Sequence, residues 1–210
     1  MSKASRGQRT DAADNAARII VAARAALEAD NTPVRLDDIA ASAGVGIATL
    51  YRHFPNREAL MAAIFQHVID VEIAPALKLA EQRPDAADGF VLVIEHVLSL
   101  LAEHRGLIEA SRNFASFADP AAQGLFTALG VLLERAQDQG NIRSDLTPSD
   151  IPVLLVMLVG ALQFTDSPED WRRYLAVLMD AIEPAARRAE LPHAEHANVQ
   201  QAKLPPPLRR

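Results

Sequence analysis

The stretch that decides the fold is residues 36–60, which read LDDIAASAGVGIATLYRHFPNREAL. Its apolar spacing and punctuation predict a helix over 36–43, a turn at Gly44, and a short helix over 47–54 that Gly46 caps. Pro55 ends that helix, and Asn56 caps the next one. Such a unit holds a short exposed helix on a compact apolar base, an arrangement that places side chains in the major groove of DNA.

The apolar and outward positions of this unit carry different chemistry. The positions expected to lock the two short helices together are Ile39, Ala40, Ala43, Val45, Leu50 and Phe54. The positions left outward are Ile47, Ala48, Thr49, Tyr51, Arg52 and His53. Methyl groups can contact the C5-methyl group of thymine, and arginine can donate to O6 and N7 of guanine. Thr, Tyr and His side chains can bind phosphates. The alternative is a helical hairpin with a merely solvated polar face, which an outward Tyr51 beside Arg52 disfavours.

Nearly every other segment shows helical periodicity, and no strand pattern occurs, so the fold class is all-α. We expect a first helix over 14–29 and a long fourth helix that Pro75 kinks or ends. Later helices are expected over 86–104, 106–116, 120–140, 147–165 and 167–188. The predicted organisation is a flexible basic arm (1–13), a helix-turn-helix domain (14–60), a larger helical domain (61–190) and a disordered tail (191–210).

Composition narrows the class of protein. The 210 residues are 50% hydrophobic and include no cysteine, which excludes disulfides and thiolate zinc sites. The apolar stretch 151–164 is too short for a membrane span and no signal peptide is seen, so we expect a cytoplasmic protein without a membrane partner. Residues 1–60 carry +1 and the remainder −7. The cations at 3, 6 and 9 suit phosphate contact or simply a solubilising terminus.

The sequence gives no sign of catalysis. It has no HExxH, no GxSxG and no cysteine nucleophile, and its six histidines have no matching acidic partners at ligand spacing. We therefore predict no enzyme, no catalytic residues, no cofactor and no metal site.

The stretch DDIAASAGVGIATLYRHFPNREAL closely resembles the DIA..AGVS..TLY.HF..KE.L pattern of the TetR (tetracycline repressor) family, and the likeness covers residues 18–65. The resemblance implies a three-helix DNA-binding domain joined by a long helix to a helical domain that binds ligand and dimerises. It implies that Ile47, Ala48 and Thr49 approach bases or adjacent phosphates, and that Tyr51 and His53 contact the DNA backbone. Arg57 stands where the family often has Lys. Arg35 stands where a capping Thr is frequent, so we expect it to contact phosphate instead.

The second half, through LLERAQDQGNIRSDLTPSDIPVLL, resembles one branch of the family's C-terminal domains more loosely. The resemblance implies that the last two helices pair with their twins in a homodimer. The helix over 151–164 is apolar on all sides and must be covered on all sides. A monomeric core helix is the alternative.

A small-molecule pocket is expected between the fourth and eighth helices. Its candidate residues are Phe90, Ile94, His96, Arg112, Asn113, Phe117, Phe126 and Met157. For the aromatic residues, plain core packing remains the competing interpretation.

Together these features predict a ligand-responsive transcriptional repressor. The expected partners are double-stranded DNA carrying a palindromic operator, an unknown small-molecule effector and a second copy of the chain. The alternative is a helical small-molecule binding module without specific operator recognition.

Overall fold

The structure is a computed structural model that describes residues 3–29, 35–103, 120–162, 164 and 170–184. Within these ranges the chain is helical and contains no strand. The helices are α1 (Lys3–Glu28), α2 (Leu36–Ser42), α3 (Ile47–His53), α4 (Arg57–Val68), α5 (Ala74–Glu81), α6 (Ala86–Glu103), α7 (Pro120–Asp138), α8 (Ile151–Ala161) and α9 (Trp171–Ile182). A π-helical turn (Ile69–Ile73) joins α4 to α5, and a 3₁₀ turn (Pro148–Asp150) precedes α8. The all-α prediction is confirmed.

The punctuation of the helix-turn-helix behaves as predicted. Gly44 has φ +65°, a conformation that residues with a Cβ rarely adopt, and it lets the chain reverse after α2. The Val45 N–H donates to the Ala40 carbonyl at 3.0 Å, which closes the end of that helix. Gly46 is the N-cap of α3. The Asn56 side chain accepts from the Ala59 N–H at 2.7 Å and caps α4.

The first four helices, called here the head, close on their own apolar core, the head core. Its buried members are Ile19, Ala23, Leu27, Ile39, Ala40, Ala43, Leu50, Phe54, Leu60, Met61, Ile64, Val68 and Leu100. Five of the six residues predicted to lock the two short helices are buried in it, and Val45 packs against it. The predicted packing is therefore confirmed, and it leaves the opposite side of α3 to solvent.

Pro75 does not end the long helix. The helical run continues from Arg57 to Glu81, and the π-helical turn ends at Ile73, two residues before the proline. A proline lacks the N–H that would bond to the carbonyl of Val71, and its ring crowds that carbonyl. A wider turn at this point relieves both conflicts. By length and composition the run Arg57–Glu81 could also cross a membrane, a property shared by core helices of soluble proteins. Leu60, Ile64 and Ala80 within it are buried.

The later helices, called here the body, enclose a second apolar core, the body core. It runs from Ile73 through α6, α7 and α8 to Ile182 on α9 and contains Trp171. Side chains of α7 fix the corner between α5 and α6: Arg135 donates to the carbonyls of Glu81 and Arg83, at 3.0 and 2.7 Å. Asp150 caps the turn before α8, because its carboxylate accepts from both the N–H and the hydroxyl of Thr147, each at 2.8 Å.

Two predicted boundaries are wrong. Helix α1 begins at Lys3, well before residue 14, because Ala, Arg and Gln in this stretch favour helix and no proline interrupts it. Helix α9 ends at Ile182 rather than near residue 188, because Pro184 holds the preceding Glu183 in an extended conformation. The predicted helix over 106–116 and the tail over 191–210 lie outside the described residues.

Candidate nucleic-acid interface

The short helix α3 presents two contrasting faces. Leu50 is fully buried in the head core, and Phe54 packs beside it. On the other side, Tyr51 is 49% exposed and Ile47 37% exposed, and Ala48 and Arg52 are also exposed. Apolar and aromatic side chains that are grouped beside an arginine on one exposed helix face are typical of an interaction surface. The face combines methyl groups, which can contact the methyl group of thymine, with a guanidinium, which can donate to guanine in the major groove.

Two predicted contact residues lie at the edge of this face. Thr49 and His53 are half-buried. The Nε2 atom of His53 is enclosed and has no hydrogen-bond partner in the described part of the chain. In this arrangement His53 can offer only its Nδ1 edge to a ligand, because a buried nitrogen cannot reach a phosphate. The centroid of the Phe54 ring lies 6.3 Å from that of His53, with an angle of 44° between the two ring planes.

The predicted cations flank α3 on the neighbouring helices. Arg57 is exposed at the start of α4. Arg35 precedes α2 and makes no capping hydrogen bond; its guanidinium lies 3.8 Å from the carboxylate of Asp37. This pair is largely exposed, so water screens it and little energy is needed to exchange Asp37 for a phosphate. Arg35 can therefore exchange its partner for a polyanion.

Arg18 on α1 is a residue that the sequence reasoning missed. Its Nη1 atom lies 3.7 Å from the point where a Cβ on Gly44 would stand, so the guanidinium covers the turn between α2 and α3. The side chain is exposed, and Nη2 donates to Asn15 Oδ1 at 2.5 Å. The sequence did contain one signal for it. Arg18 directly precedes Ile19, which is buried on α1, so Arg18 lies at the border of the apolar face of this helix.

The predicted pocket residues fall into three groups. Phe90 and Ile94 are buried in the body core, and Phe126 is partly buried and packs against that core. His96 and Met157 are exposed, Met157 by 63%, so the protomer does not bring them to the buried phenylalanine. Helix geometry explains this, since Phe90 and Ile94 are one turn apart while His96 lies on another face. Arg112, Asn113 and Phe117 lie outside the described residues.

Among the described residues, no group of three or more His, Asp or Glu side chains is placed to hold a metal ion.

Two sequence profiles match the chain and divide it as the two cores do. Residues 19–64 match the profile of bacterial regulatory proteins of the tetR family. Residues 85–184 match that of the SbtR-like transcriptional regulator C-terminal domain. The chain belongs to the TetR family of transcriptional regulators. It is thus a DNA-binding regulator whose helix-turn-helix is formed by α2 and α3, and members of this family act by binding DNA rather than by catalysis.

Individual relatives agree with this assignment. The HTH-type transcriptional repressor LfrR of Mycolicibacterium smegmatis is 39% identical over 72 residues, which are 34% of this chain and 35% of that protein. The match therefore spans about a third of that relative. The crystal structure of a TetR regulatory protein from Mycobacterium vanbaalenii is 28% identical, with a TM-score of 0.55, over 84% of this chain and 99% of that one.

A more distant structure shares the fold. FadR from Bacillus subtilis, solved in complex with stearoyl-CoA, is 20% identical to this chain with a TM-score of 0.63. The alignment covers 78% of this chain and 95% of that one. At this identity the likeness concerns the arrangement of helices alone.

Proposed function

We propose that the protein is a homodimeric, cytoplasmic repressor that binds a palindromic operator through α3 and releases it when a small molecule binds in the body. The single observation that carries the proposal is the exposed face of α3. Ile47, Tyr51 and Arg52 lie on this face, and the buried Leu50 on the opposite side anchors the helix. A rigid anchor is what base recognition needs, because hydrogen bonds to bases tolerate little displacement.

The surface of the last two helices supports the homodimer. Several large apolar side chains are exposed there: Val153, Met157, Phe164, Tyr174 and Val177. Phe164, just after α8, is 71% exposed. Apolar surface of this extent favours association, and an identical copy provides a matching face. Two heads held by such a contact would read two half-sites about 34–36 Å apart, which is the reason to expect a palindrome.

The interior of the body supports an apolar effector. Phe90 and Ile94 are buried in the body core, and Phe126 packs against that core, so an effector that enters it would meet aromatic and aliphatic side chains. The similarly folded FadR carries stearoyl-CoA, a ligand with a long apolar chain. An effector releases DNA only to the extent that it binds one head arrangement more tightly than the other. Operator binding at fixed protein concentration, with and without candidate effectors, measures that difference.

Two substitutions on α3 test the DNA-binding proposal. Tyr51→Ala should weaken binding to every duplex, because a backbone contact carries no sequence information. Arg52→Ala should cost about 1–3 kcal/mol on the operator and much less on scrambled DNA, because a bidentate contact with guanine is lost. Both side chains are exposed, so neither variant should alter the thermal unfolding curve.

The measurement is a fluorescence-anisotropy titration against the DNA upstream of the protein's own gene and against a scrambled duplex. Arg83→Gln is the charge-matched control, since Arg83 lies on the surface of the body. If wild-type protein binds both duplexes equally and weakly at physiological salt, the protein is a ligand-binding module without operator recognition. Equal losses for Arg52→Ala on both duplexes would assign Arg52 to a phosphate.

A further inference from the structure

The turn between α2 and α3 carries a cation that does not belong to the recognition helix. Arg18 comes from α1, yet its guanidinium lies against Gly44, two residues before the N-cap of α3. A Cβ at position 44 would lie in ordinary van der Waals contact with Nη1, so the guanidinium packs directly on the turn. The turn itself needs glycine because its φ is +65°.

The charge of Arg18 is not neutralised within the described part of the chain. Its hydrogen-bond partner, the Asn15 amide, is neutral. Asp14 lines the same shallow depression with Asn15 and Ala17, but no ion pair joins it to Arg18. The charge of Arg24, which lies further along α1, is by contrast paired with the carboxylates of Glu28 and Glu72. An arginine has five donors in a fixed fork, so one bond to Asn15 orients Arg18 and leaves donors free.

We propose that Arg18 is a phosphate-binding residue, held by Asn15 beside the Gly44 turn, that clamps the DNA backbone next to the N-terminus of α3. This inference rests on the proposed DNA binding and adds a contact from a helix outside the helix-turn-helix pair. A phosphate diester matches the guanidinium fork in shape and charge. Because the contact is to the backbone, it contributes affinity and register and does not read sequence.

The salt dependence of DNA binding tests the proposal. One phosphate contact contributes about 0.9 to the slope of log affinity against log salt, which corresponds to about an eightfold change in affinity at 0.1 M salt. Arg18→Gln should therefore lower the slope by about 0.9 and weaken binding about eightfold, both for a random-sequence 30-base-pair duplex and for the upstream DNA. Arg18→Lys should keep the slope, because an ammonium still releases one counterion. Circular dichroism melting should be unchanged in both variants, since the side chain is exposed.

Arg83→Gln on the body is the matched control for the loss of one positive charge, and it should leave the slope unchanged. The proposal is overturned if Arg18→Gln retains the wild-type slope, if it loses no more than Arg83→Gln, or if Arg18→Lys behaves like Arg18→Gln. Failure of this inference alone would leave Arg52→Ala still discriminating between duplexes. A wild-type protein that binds no duplex even at low salt would overturn the proposed function and this contact together.

Discussion

The head and the body of this protein are built in different ways. Among the described residues, the buried side chains of the head core come from positions 19–68 and, from a distant helix, only Leu100. The body core brings together residues from Ile73 to Ile182, so its packing depends on contacts between segments far apart in the chain. The head is thus determined by local signals that a reader of the sequence can recognise. The body is determined by how amphipathic helices fit together, which no single segment specifies.

The seam between the two cores is narrow. Val68 is buried in the head core and Ile73 in the body core, so the π-helical turn lies where the long helix passes from one to the other. Leu101 packs against both cores. Arg24 of α1 forms an ion pair with Glu72 of the turn. Burial lowers the pKa of Arg24, but its hydrogen bonds and charge interactions with Glu28 and Glu72 outweigh burial and raise that pKa.

The largest expected effect comes from emptying one core at a time. Leu50→Ala in the head and Leu133→Ala in the body each remove a fully buried side chain and should cost about 2–5 kcal/mol. Trp171 is the single tryptophan and is buried in the body core, so its fluorescence reports on the body, whereas circular dichroism reports on all helices. In guanidinium titrations Leu50→Ala should shift the dichroism transition ahead of the fluorescence transition.

Leu133→Ala is the counterpart and should shift the Trp171 transition itself. Coincident dichroism and fluorescence curves in both variants would break the comparison, because they would mean that head and body unfold as one cooperative unit.

The exposed face of α3 in the head is expected to bind DNA, whereas the exposed apolar face of α9 in the body is expected to bind a second copy of the chain. Val177→Asp replaces an apolar side chain on α9, 61% exposed in the protomer, with a charged one. It should weaken dimerisation by tenfold or more, because the second copy would bury this charge without a partner. Leu79→Asp is the control, since Leu79 is 57% exposed but lies on α5. Sedimentation equilibrium measures both. Dimers of equal strength in the two variants would remove α9 from the interface.

The smallest expected effect concerns the seam. Glu72→Gln removes the ion pair that joins α1 to the π-helical turn, and the pair is only about one-fifth exposed, so about 1–2 kcal/mol should be lost. Glu28→Gln is the control, because the Arg24–Glu28 pair lies within α1 and is worth about 0.3–0.5 kcal/mol. Glu72→Gln should also widen the gap between the dichroism and fluorescence transitions. Equal gaps in the two variants would show that the pair does not couple the cores.

Particular residues show how far the sequence could be interpreted. Gly44, Gly46 and Asn56 act through backbone conformation and capping, which are local, so the helix-turn-helix was predicted almost residue by residue. Arg18 was missed because its proximity to Gly44 depends on how α1 packs across the head. In the pocket prediction, Phe90 and His96 belong to one helix, but its rotation places one in the core and the other in solvent. Periodicity finds a buried face without saying which neighbour fills it.

The most direct test of the central claim is selection of bound sequences from a random double-stranded DNA library by the full-length protein. If the exposed face of α3 reads DNA in two copies, the enriched sequences will share a motif with two-fold symmetry. Its half-sites will be centred about one helical turn apart, 34–36 Å. Enrichment of no motif, or of a single half-site without its symmetric partner, would contradict the account.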